Sequence, residues 1–203
     1  MLVTSPLKIT HSELRVLAAA AKGKINCLYL HWSAGRYDQV FDDYHLSIGE
    51  HGEIYQTCRQ LTDLKSHTYK RNSNSIGIAL CCAYGAILSC KWQPVFAGFA
   101  PTPLQVEQMA IVTAILCNEL QLEISFSTVK THAEAALIDG YGPGQNDPDM
   151  RWDLLSLSGL PETRALRPGG SLLRERAQLY SRRFVADELL GAPQGEQLQL
   201  LEA

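Results

Sequence analysis

The stretch Ile-Asn-Cys-Leu-Tyr-Leu-His-Trp-Ser-Ala-Gly at 25–35 decides the fold of this chain. Its first half is almost entirely apolar, which is typical of a strand buried inside a sheet. His31 stands where this strand is predicted to end, and functional side chains are commonly placed at such ends. The sequence therefore predicts a buried strand over 25–31 that delivers a histidine to a site.

On both sides of this strand, hydrophobic spacing and turn residues predict further elements. The predicted strands are 44–49 and 53–57 around the turn Glu50-His51-Gly52, then 75–82 and a short strand or turn at 129–132; the predicted helices are 12–21, capped by Ser12, then 103–120 and 172–190. Helices alternate with strands, and both hairpins and crossovers occur. The predicted class is therefore α/β, with a mixed central β-sheet covered by helices on both faces.

The length is suited to one domain with a sizeable core. We expect a single domain over residues 1–190, interrupted by a glycine- and proline-rich loop at 140–149 and followed by a loose C-terminal tail over 191–203. Hydrophobic residues make up 46% of the chain, charged residues 19%, and the formal net charge is -3. This charge offers no basic surface, so neither nucleic acid nor an acidic membrane is an expected partner.

Two features bear on the compartment. The start, Met1 to Pro6, lacks a basic segment followed by an apolar one, and no stretch approaches the ~20 apolar residues that span a bilayer. We therefore expect synthesis in the cytoplasm without an export signal and without membrane insertion. The six cysteines include no Cys-x-x-Cys pair and are expected to be reduced, mostly in the core: Cys27, Cys58, Cys81, Cys82, Cys90 and Cys117.

A second histidine has a context as unusual as that of His31. His132 lies in Thr-His-Ala-Glu-Ala-Ala at 131–136, and an acid-rich stretch, Asn-Asp-Pro-Asp-Met-Arg-Trp-Asp, follows at 146–153. Two neutral imidazoles and one carboxylate are the ligand set of a catalytic zinc site that keeps one position open for water. These residues therefore predict a zinc centre built from distant parts of the chain.

Several motifs occur in an order that resembles a known enzyme family. They are His-Trp-Ser-Ala-Gly at 31–35, Tyr-His-Leu-Ser-Ile at 44–48, His67 with Asn72, Ser-Ile-Gly-Ile at 75–78, Pro-Thr-Pro-Leu-Gln at 101–105, Thr131-His132 and Arg-Trp-Asp at 151–153. In this order they resemble the zinc-dependent N-acetylmuramoyl-L-alanine amidases of the phage-lysozyme and peptidoglycan-recognition type. The wording around His132 and Arg151 is similar to the phage and prophage branch.

The resemblance implies an enzyme that cuts the amide bond between N-acetylmuramic acid and the L-alanine of the peptidoglycan stem peptide. It implies one Zn²⁺ per chain, which lowers the pKa of a bound water and polarises the scissile carbonyl. His31 and His132 correspond to two zinc ligands. Glycoside hydrolysis is not expected, because no pair of carboxylates stands out that could flank a glycosidic bond.

The third ligand is left with alternatives. Asp153 is preferred, because Arg151 two positions earlier reproduces the basic-x-acid spacing of the family. Asp147 is the main alternative, because its Asp-Pro pair is also similar to the family and its distance from His132 is closer to theirs. Asp149 is a third candidate.

The same resemblance suggests catalytic roles for two side chains. Arg151 replaces the lysine that stabilises the transition state in the family, and arginine keeps its charge at any relevant pH. Tyr44 matches a tyrosine beside the metal that orients water or binds the oxyanion. Ala79 stands where some members carry a glutamate base, which favours the tyrosine type of mechanism.

Other polar residues are given supporting roles. Glu134 is a candidate carboxylate for fixing the ring of His132, with exposed helix surface as the alternative. His67 and Asn72 precede the strand at 75–82, in a loop that could line the substrate groove. The remaining histidines have no motif around them and are predicted to be structural or exposed: His11, His45 and His51.

Two rival functions remain open at this stage. The same fold could bind peptidoglycan without a metal, or the chain could be an unrelated metalloenzyme that acts on a small cytoplasmic amide. As an amidase it would act on the cell wall after phage lysis or after delivery by a secretion system. An immunity or delivery partner is compatible with that bacteriolytic role.

Overall fold

The computed structural model describes residues 1–142, 145, 151–158 and 166–190. The elements are, in chain order, β1 (Leu7–Ile9), α1 (His11–Ala21), β2 (Cys27–Trp32), β3 (Leu46–Ile48), β4 (Ile54–Gln56), β5 (Ser75–Leu80), β6 (Ile87–Leu88), β7 (Pro94–Val95), α2 (Pro103–Leu120), β8 (Val129–Thr131), α3 (His132–Asp139), β9 (Ser156–Ser158), β10 (Leu166–Pro168) and α4 (Gly169–Leu190). Six of the strands form one sheet in the order β1-β4-β3-β5-β2-β8.

The sheet combines parallel and antiparallel pairing. Strand β2 lies between β5 and β8 and runs parallel to both, and β3 is also parallel to β5. Strand β4 pairs antiparallel with β3 and with β1. The predicted α/β class with a mixed central sheet is therefore confirmed.

Strand β2 shows why the two faces of this sheet differ. Side chains alternate along a strand, and Leu28, Leu30 and Trp32 belong to the apolar core. Helix α2 packs on that apolar face against β3 and β5, and it also contacts α1 and α4. Tyr29 and His31 point to the opposite face, which therefore remains available for a polar site.

The elements that surround the site were predictable. The strands predicted over 25–31 and 75–82 correspond to β2 and β5, and the predicted hairpin corresponds to β3 and β4. Helix α2 has the predicted bounds, because Thr102 caps it and Gln105 completes a capping box. The Gln105 amide also donates hydrogen bonds to the carbonyl oxygens of Ile48 and Cys81, which anchors the helix to the ends of β3 and β5.

The predicted cap of the first helix was wrong. Thr10, rather than Ser12, caps α1. The Thr10 hydroxyl accepts a hydrogen bond from the Glu13 backbone N–H, while the Glu13 carboxylate accepts one from the Thr10 backbone N–H. This reciprocal pair satisfies two donors that the first turn of a helix leaves open, which Ser12 inside the helix cannot do.

The remaining predictions have mixed outcomes. All six cysteines are free, as predicted, but Cys90 is exposed rather than in the core. Among the described residues, no helix is both long and apolar enough to cross a membrane. The predicted tail over 191–203 and most of the predicted loop over 140–149 lie outside the described residues.

Candidate active site

The register of two parallel strands places two histidines side by side. Thr131 of β8 pairs with Leu30 of β2. The residue that follows each of these two strand positions is a histidine. His31 and His132 therefore meet, with their ring centroids 4.9 Å apart. The Thr131 hydroxyl accepts a hydrogen bond from the Glu134 backbone N–H, so the chain turns into helix α3 at His132.

Tryptophan packing brings the third member, Asp153, to these rings. Trp152 is buried, and its ring lies edge-on to that of Trp32 at the end of β2, with centroids 5.2 Å apart. The Asp153 carbonyl also accepts a hydrogen bond from the backbone N–H of Ala133 in the first turn of α3. The Asp153 carboxylate is thereby directed at the two imidazoles.

The carboxylate lies between the two rings. Oδ2 of Asp153 is 2.9 Å from Nδ1 of His31, and Oδ1 is 3.0 Å from Nδ1 of His132. The potential ligand atoms of the three residues all lie within 4.8 Å of one another. Such a convergence of two nitrogens and a carboxylate could hold one metal ion.

Burial sets the charge of this cluster. His31 is fully buried, and burial lowers its pKa, so the neutral ring with a free lone pair is favoured. Burial alone would raise the pKa of Asp153, but the neighbouring His132 and His31 outweigh it and lower that pKa to about 2. The cluster therefore presents one negative charge beside the neutral ring of His31, and such nitrogen and carboxylate donors suit a divalent cation.

One oxygen indicates what would complete the cluster. Oδ1 of Asp153 is buried, and although it lies 3.0 Å from Nδ1 of His132, no group in the described part of the chain donates a well-aligned hydrogen bond to it. A buried charged oxygen without such a donor is destabilising. A cation at the point where the three side chains converge would remove that penalty, so the residues present are compatible with a zinc ion.

A comparison with known families agrees with this geometry. Residues 18–149 match the family model described as N-acetylmuramoyl-L-alanine amidase. The chain belongs to this amidase family. No curated protein matches the chain. Membership of the amidase family indicates hydrolysis of an amide bond in peptidoglycan.

The amidase match covers only part of the cluster. It includes His31 and His132 and ends before Asp153. The two alternative ligands, Asp147 and Asp149, fall inside the matched range but lie outside the described residues. Asp153 is therefore the acidic residue that the described part of the amidase brings to both histidines.

Tyr44 lies beside the cluster. Its ring centroid is 5.1 Å from that of His31, with the two planes inclined by 48°. Burial, and then the charge of Asp153, raise the pKa of Tyr44, so its phenol stays protonated at physiological pH. A protonated phenol is a hydrogen-bond donor, and this one lies next to the His31 ring.

Arg151 lies at the rim of the cluster. Its guanidinium carbon is 5.3 Å from the centroid of the Tyr141 ring and 5.8 Å from that of the exposed Tyr69. The Tyr141 ring is in turn 6.2 Å from the His132 ring. The guanidinium of Arg151 is therefore in contact with two aromatic rings, one of which also contacts the His132 ring.

Glu134 supports the cluster through the backbone. Its carboxylate accepts hydrogen bonds from the Thr131 backbone N–H and from both terminal nitrogens of Arg174 on α4. These contacts stabilise the turn from which His132 projects. The role predicted for Glu134 in fixing the ring of His132, with exposed helix surface as the alternative, stays a prediction; the contacts above tie its carboxylate to the turn and to α4.

His67 and Asn72, which were predicted to lie in a loop that could line the substrate groove, have different surroundings in the structure. His67 is only 5% exposed, because its ring packs into the sheet over Gly77. A Cβ atom on Gly77 would lie 2.4 Å from Cγ of His67, so this strand position has to be glycine. The Asn72 side-chain oxygen accepts a hydrogen bond from the Thr68 backbone N–H at 2.8 Å and thereby shapes the loop below His31.

Three residues near the site received no role from the sequence. Thr68 contacts the His31 ring, Ser75 contacts the His67 ring, and Tyr141 lies against the His132 ring. A glycine inside a strand often marks a close approach of another group. The glycine of Ser-Ile-Gly-Ile was therefore the available signal for the packed His67, whereas nothing in the local pattern pointed to Thr68 or Tyr141.

Proposed function

We propose that this chain is a zinc-dependent hydrolase that cleaves the amide bond between N-acetylmuramic acid and the L-alanine of the peptidoglycan stem peptide. The observation that carries the proposal is the convergence of His31, His132 and Asp153 in a member of the amidase family. These three side chains would hold one Zn²⁺ per chain. Two histidines and a carboxylate form a common ligand set for catalytic zinc.

The chemistry of the reaction is divided between metal and protein. Zinc, when bound, lowers the pKa of water and polarises a carbonyl, both of which amide hydrolysis requires at neutral pH. The protein keeps the ligand atoms available for it: burial favours neutral His31, and the neighbouring imidazoles keep Asp153 ionised. No ligand proton then has to be displaced at neutral pH from these two residues.

Tyr44 and Arg151 would act on the charge that develops on the amide oxygen. The Tyr44 phenol is protonated and lies beside His31, so it can donate a hydrogen bond to that oxygen. Arg151 adds a fixed positive charge from the rim, and the rings of Tyr69 and Tyr141 hold its guanidinium in place. Donors aimed at a developing oxyanion commonly contribute on the order of 10²-fold or more to turnover.

We also propose that the substrate is assembled cell-wall peptidoglycan, which the enzyme would reach through phage-type lysis or delivery from another cell. The support is the similarity of the Thr-His-Ala-Glu-Ala-Ala and Arg-Trp-Asp segments to the phage and prophage branch. In this role the enzyme would be bacteriolytic.

The reaction can be tested on purified peptidoglycan. The zinc-loaded protein should release stem peptides with new L-alanine amino termini and should create no new reducing sugar ends. Chelation should stop this release while the circular dichroism spectrum remains that of the folded protein. Added zinc should restore the release of stem peptides. His132→Ala should also stop the release, and His51→Ala is its matched control, because His51 is an exposed histidine whose ring contacts Glu50. Reducing ends that appear at the rate of lysis would refute the amide-cleavage proposal.

The ligand set needs its own test. Asp153→Ala should lose zinc and activity together, measured as metal content per chain and as released amino termini in the same preparations. Asp147→Ala should keep about one zinc per chain. If Asp147→Ala loses its zinc while Asp153→Ala retains it, the third ligand is Asp147, and the role of Arg151 falls as well.

A further inference from the structure

We propose that Thr68, His67 and Ser75 are positioning residues that keep the proton of the His31 ring on Nε2 and leave the lone pair of Nδ1 for a metal. The direction of hydrogen bonding follows from this chain's own contacts. The free lone pair on Nδ1 of His31, beside the Asp153 carboxylate, and the consequence for zinc affinity rest on the proposed function.

The four groups form one continuous series of contacts below the cluster. Nε2 of His31 lies 3.2 Å from Oγ1 of Thr68, and Oγ1 of Thr68 lies 2.9 Å from Nδ1 of His67. Nε2 of His67 lies 3.4 Å from Oγ of Ser75, whose hydroxyl donates to the backbone carbonyl of Arg71 at 2.8 Å. His31, His67, Thr68 and Ser75 are all at most 5% exposed, so bulk water does not substitute for these partners.

The carbonyl oxygen at the end sets the direction of the whole series. A carbonyl can only accept, so the single hydroxyl proton of Ser75 lies between Ser75 and Arg71. The Ser75 oxygen must then accept from Nε2–H of His67, which leaves Nδ1 of His67 without a proton. The Thr68 hydroxyl therefore donates to that Nδ1.

The same reasoning determines which nitrogen of His31 carries its proton. Because the Thr68 proton is used toward His67, the Thr68 oxygen can only accept from His31. His31 then carries its proton on Nε2. Its Nδ1 then lies 2.9 Å from Oδ2 of Asp153 with no proton between them, and a cation bound at the convergence point would remove the repulsion between this lone pair and the carboxylate.

The opposite direction of hydrogen-bond donation is unfavourable at the Ser75 end of the series. If Thr68 donated to His31, His67 would have to carry its proton on Nδ1 and accept from Ser75 through Nε2. The Ser75 oxygen would then face the Arg71 carbonyl at 2.8 Å without a proton between them, and a cation at the cluster would not relieve this repulsion. Partners of this kind, which fix the tautomer of a ligating histidine, commonly change metal affinity by about 10- to 100-fold when they are removed.

The first experiment reads the direction of the series without using metal or activity. Long-range ¹H–¹⁵N correlation spectra of the folded, metal-free protein distinguish the two histidine tautomers. His67 should give the Nε2–H pattern. His45 is an internal reference for that pattern, because it accepts from the Gly77 backbone N–H through Nδ1 and contacts the Asp63 carbonyl through Nε2. An Nδ1–H pattern for His67 would overturn the proposal.

The second experiment reads the consequence for zinc affinity. Thr68→Val should raise the zinc Kd by about 10- to 100-fold, whereas Thr68→Ser, which retains the hydroxyl, should stay near wild type. His67→Phe should also weaken binding, since a Thr68 hydroxyl without its acceptor can turn toward His31 and displace the ring proton to Nδ1. His67 acts through Thr68, so the double variant should be no weaker than Thr68→Val alone.

The outcomes separate this proposal from the proposed function. Losses that add up in the double variant, or a wild-type Kd for Thr68→Val, would show that these residues only fill space. If the wild-type protein binds no zinc, the proposed function fails, and the His67 tautomer still decides the direction of the series.

Discussion

His31 and His45 are two buried histidines on either side of the His67 ring, yet they are held in different ways. Their ring centroids lie 5.6 and 5.5 Å from that of His67, and both are fully buried. Both nitrogens of His45 contact the backbone: Nδ1 accepts from Gly77 at 3.0 Å, and Nε2 lies 2.7 Å from the carbonyl of Asp63. Both nitrogens of His31 contact side chains instead.

The partners of the ring nitrogens distinguish a structural histidine from a candidate metal ligand within one buried cluster. Backbone partners occupy both ring nitrogens of His45 and link β5 to the loop at Asp63, so no lone pair remains for chemistry. A carboxylate next to Nδ1 of His31, with a second imidazole beside it, directs lone pairs to a common point. Burial is the same for both rings and therefore does not distinguish them.

The largest expected effect tests this comparison directly. His31→Ala should remove zinc and lower amide hydrolysis on the order of 10³-fold or more, with little loss of fold, because it deletes a ligand from a core that stands alone. His45→Ala should retain zinc at saturating metal concentration but lose stability, about 1–3 kcal/mol for each buried backbone group left unsatisfied. Metal analysis, turnover and urea unfolding of both variants provide the comparison. If His45→Ala loses zinc at saturation while remaining folded, the distinction between the two histidines is incorrect.

A pH dependence of stability should follow from the burial of His45. Burial lowers its pKa from 6.5 to about 4, so below pH 6.5 the unfolded chain binds a proton that the folded chain does not. Stability is therefore unaffected by this group above pH 6.5 and falls as the pH drops from 6.5 to 4, by about 3 kcal/mol in total.

Urea unfolding of the metal-free protein across this window measures the effect. His67, whose pKa is lowered to about 2 mainly by burial, acts in the same direction, so the informative quantity is a difference between variants. His45→Gln should show a shallower decline than the wild type. Parallel curves for the two proteins would mean that His45 titrates alike in the folded and unfolded chains.

The smallest expected effect concerns the rim of the site rather than its buried centre. Arg151→Ala should keep its zinc, because it removes no ligand atom, and should lower turnover on the order of 10²-fold. Arg151→Lys should recover part of this loss, since the charge returns without the planar fork of donors.

Arg36→Ala is the matched control, because that guanidinium also lies over aromatic rings, 4.8 Å from the centroid of Tyr84, but not at the cluster. It should leave turnover unchanged. An Arg151→Ala enzyme with normal turnover would confine catalysis to the buried groups and to Tyr44.

Much of the fold and part of the site could be predicted from local patterns. The apolar run at 25–31 identified the central strand, and the spacing over 103–120 identified α2 with its bounds. These two predictions depend on relations between residues that are close in sequence, namely the side-chain pattern along a strand and the capping of a helix. His31 and His132 were recognisable as candidates for the same reason, because each lies in a short motif at the end of a strand.

The sequence by itself therefore determined the central strands, the long helices, the family and the two histidines of the cluster, and it left the acidic member open between Asp153, Asp147 and Asp149. Only the tertiary structure decided that Asp153 meets both rings, because this depends on the register of β8 on β2 and on the packing of Trp152 against Trp32. It also decided that His67 supports His31, since Gly77 on the neighbouring strand β5 makes room for the His67 ring. Such relations join residues that are far apart along the chain, and no local periodicity records which of them will touch.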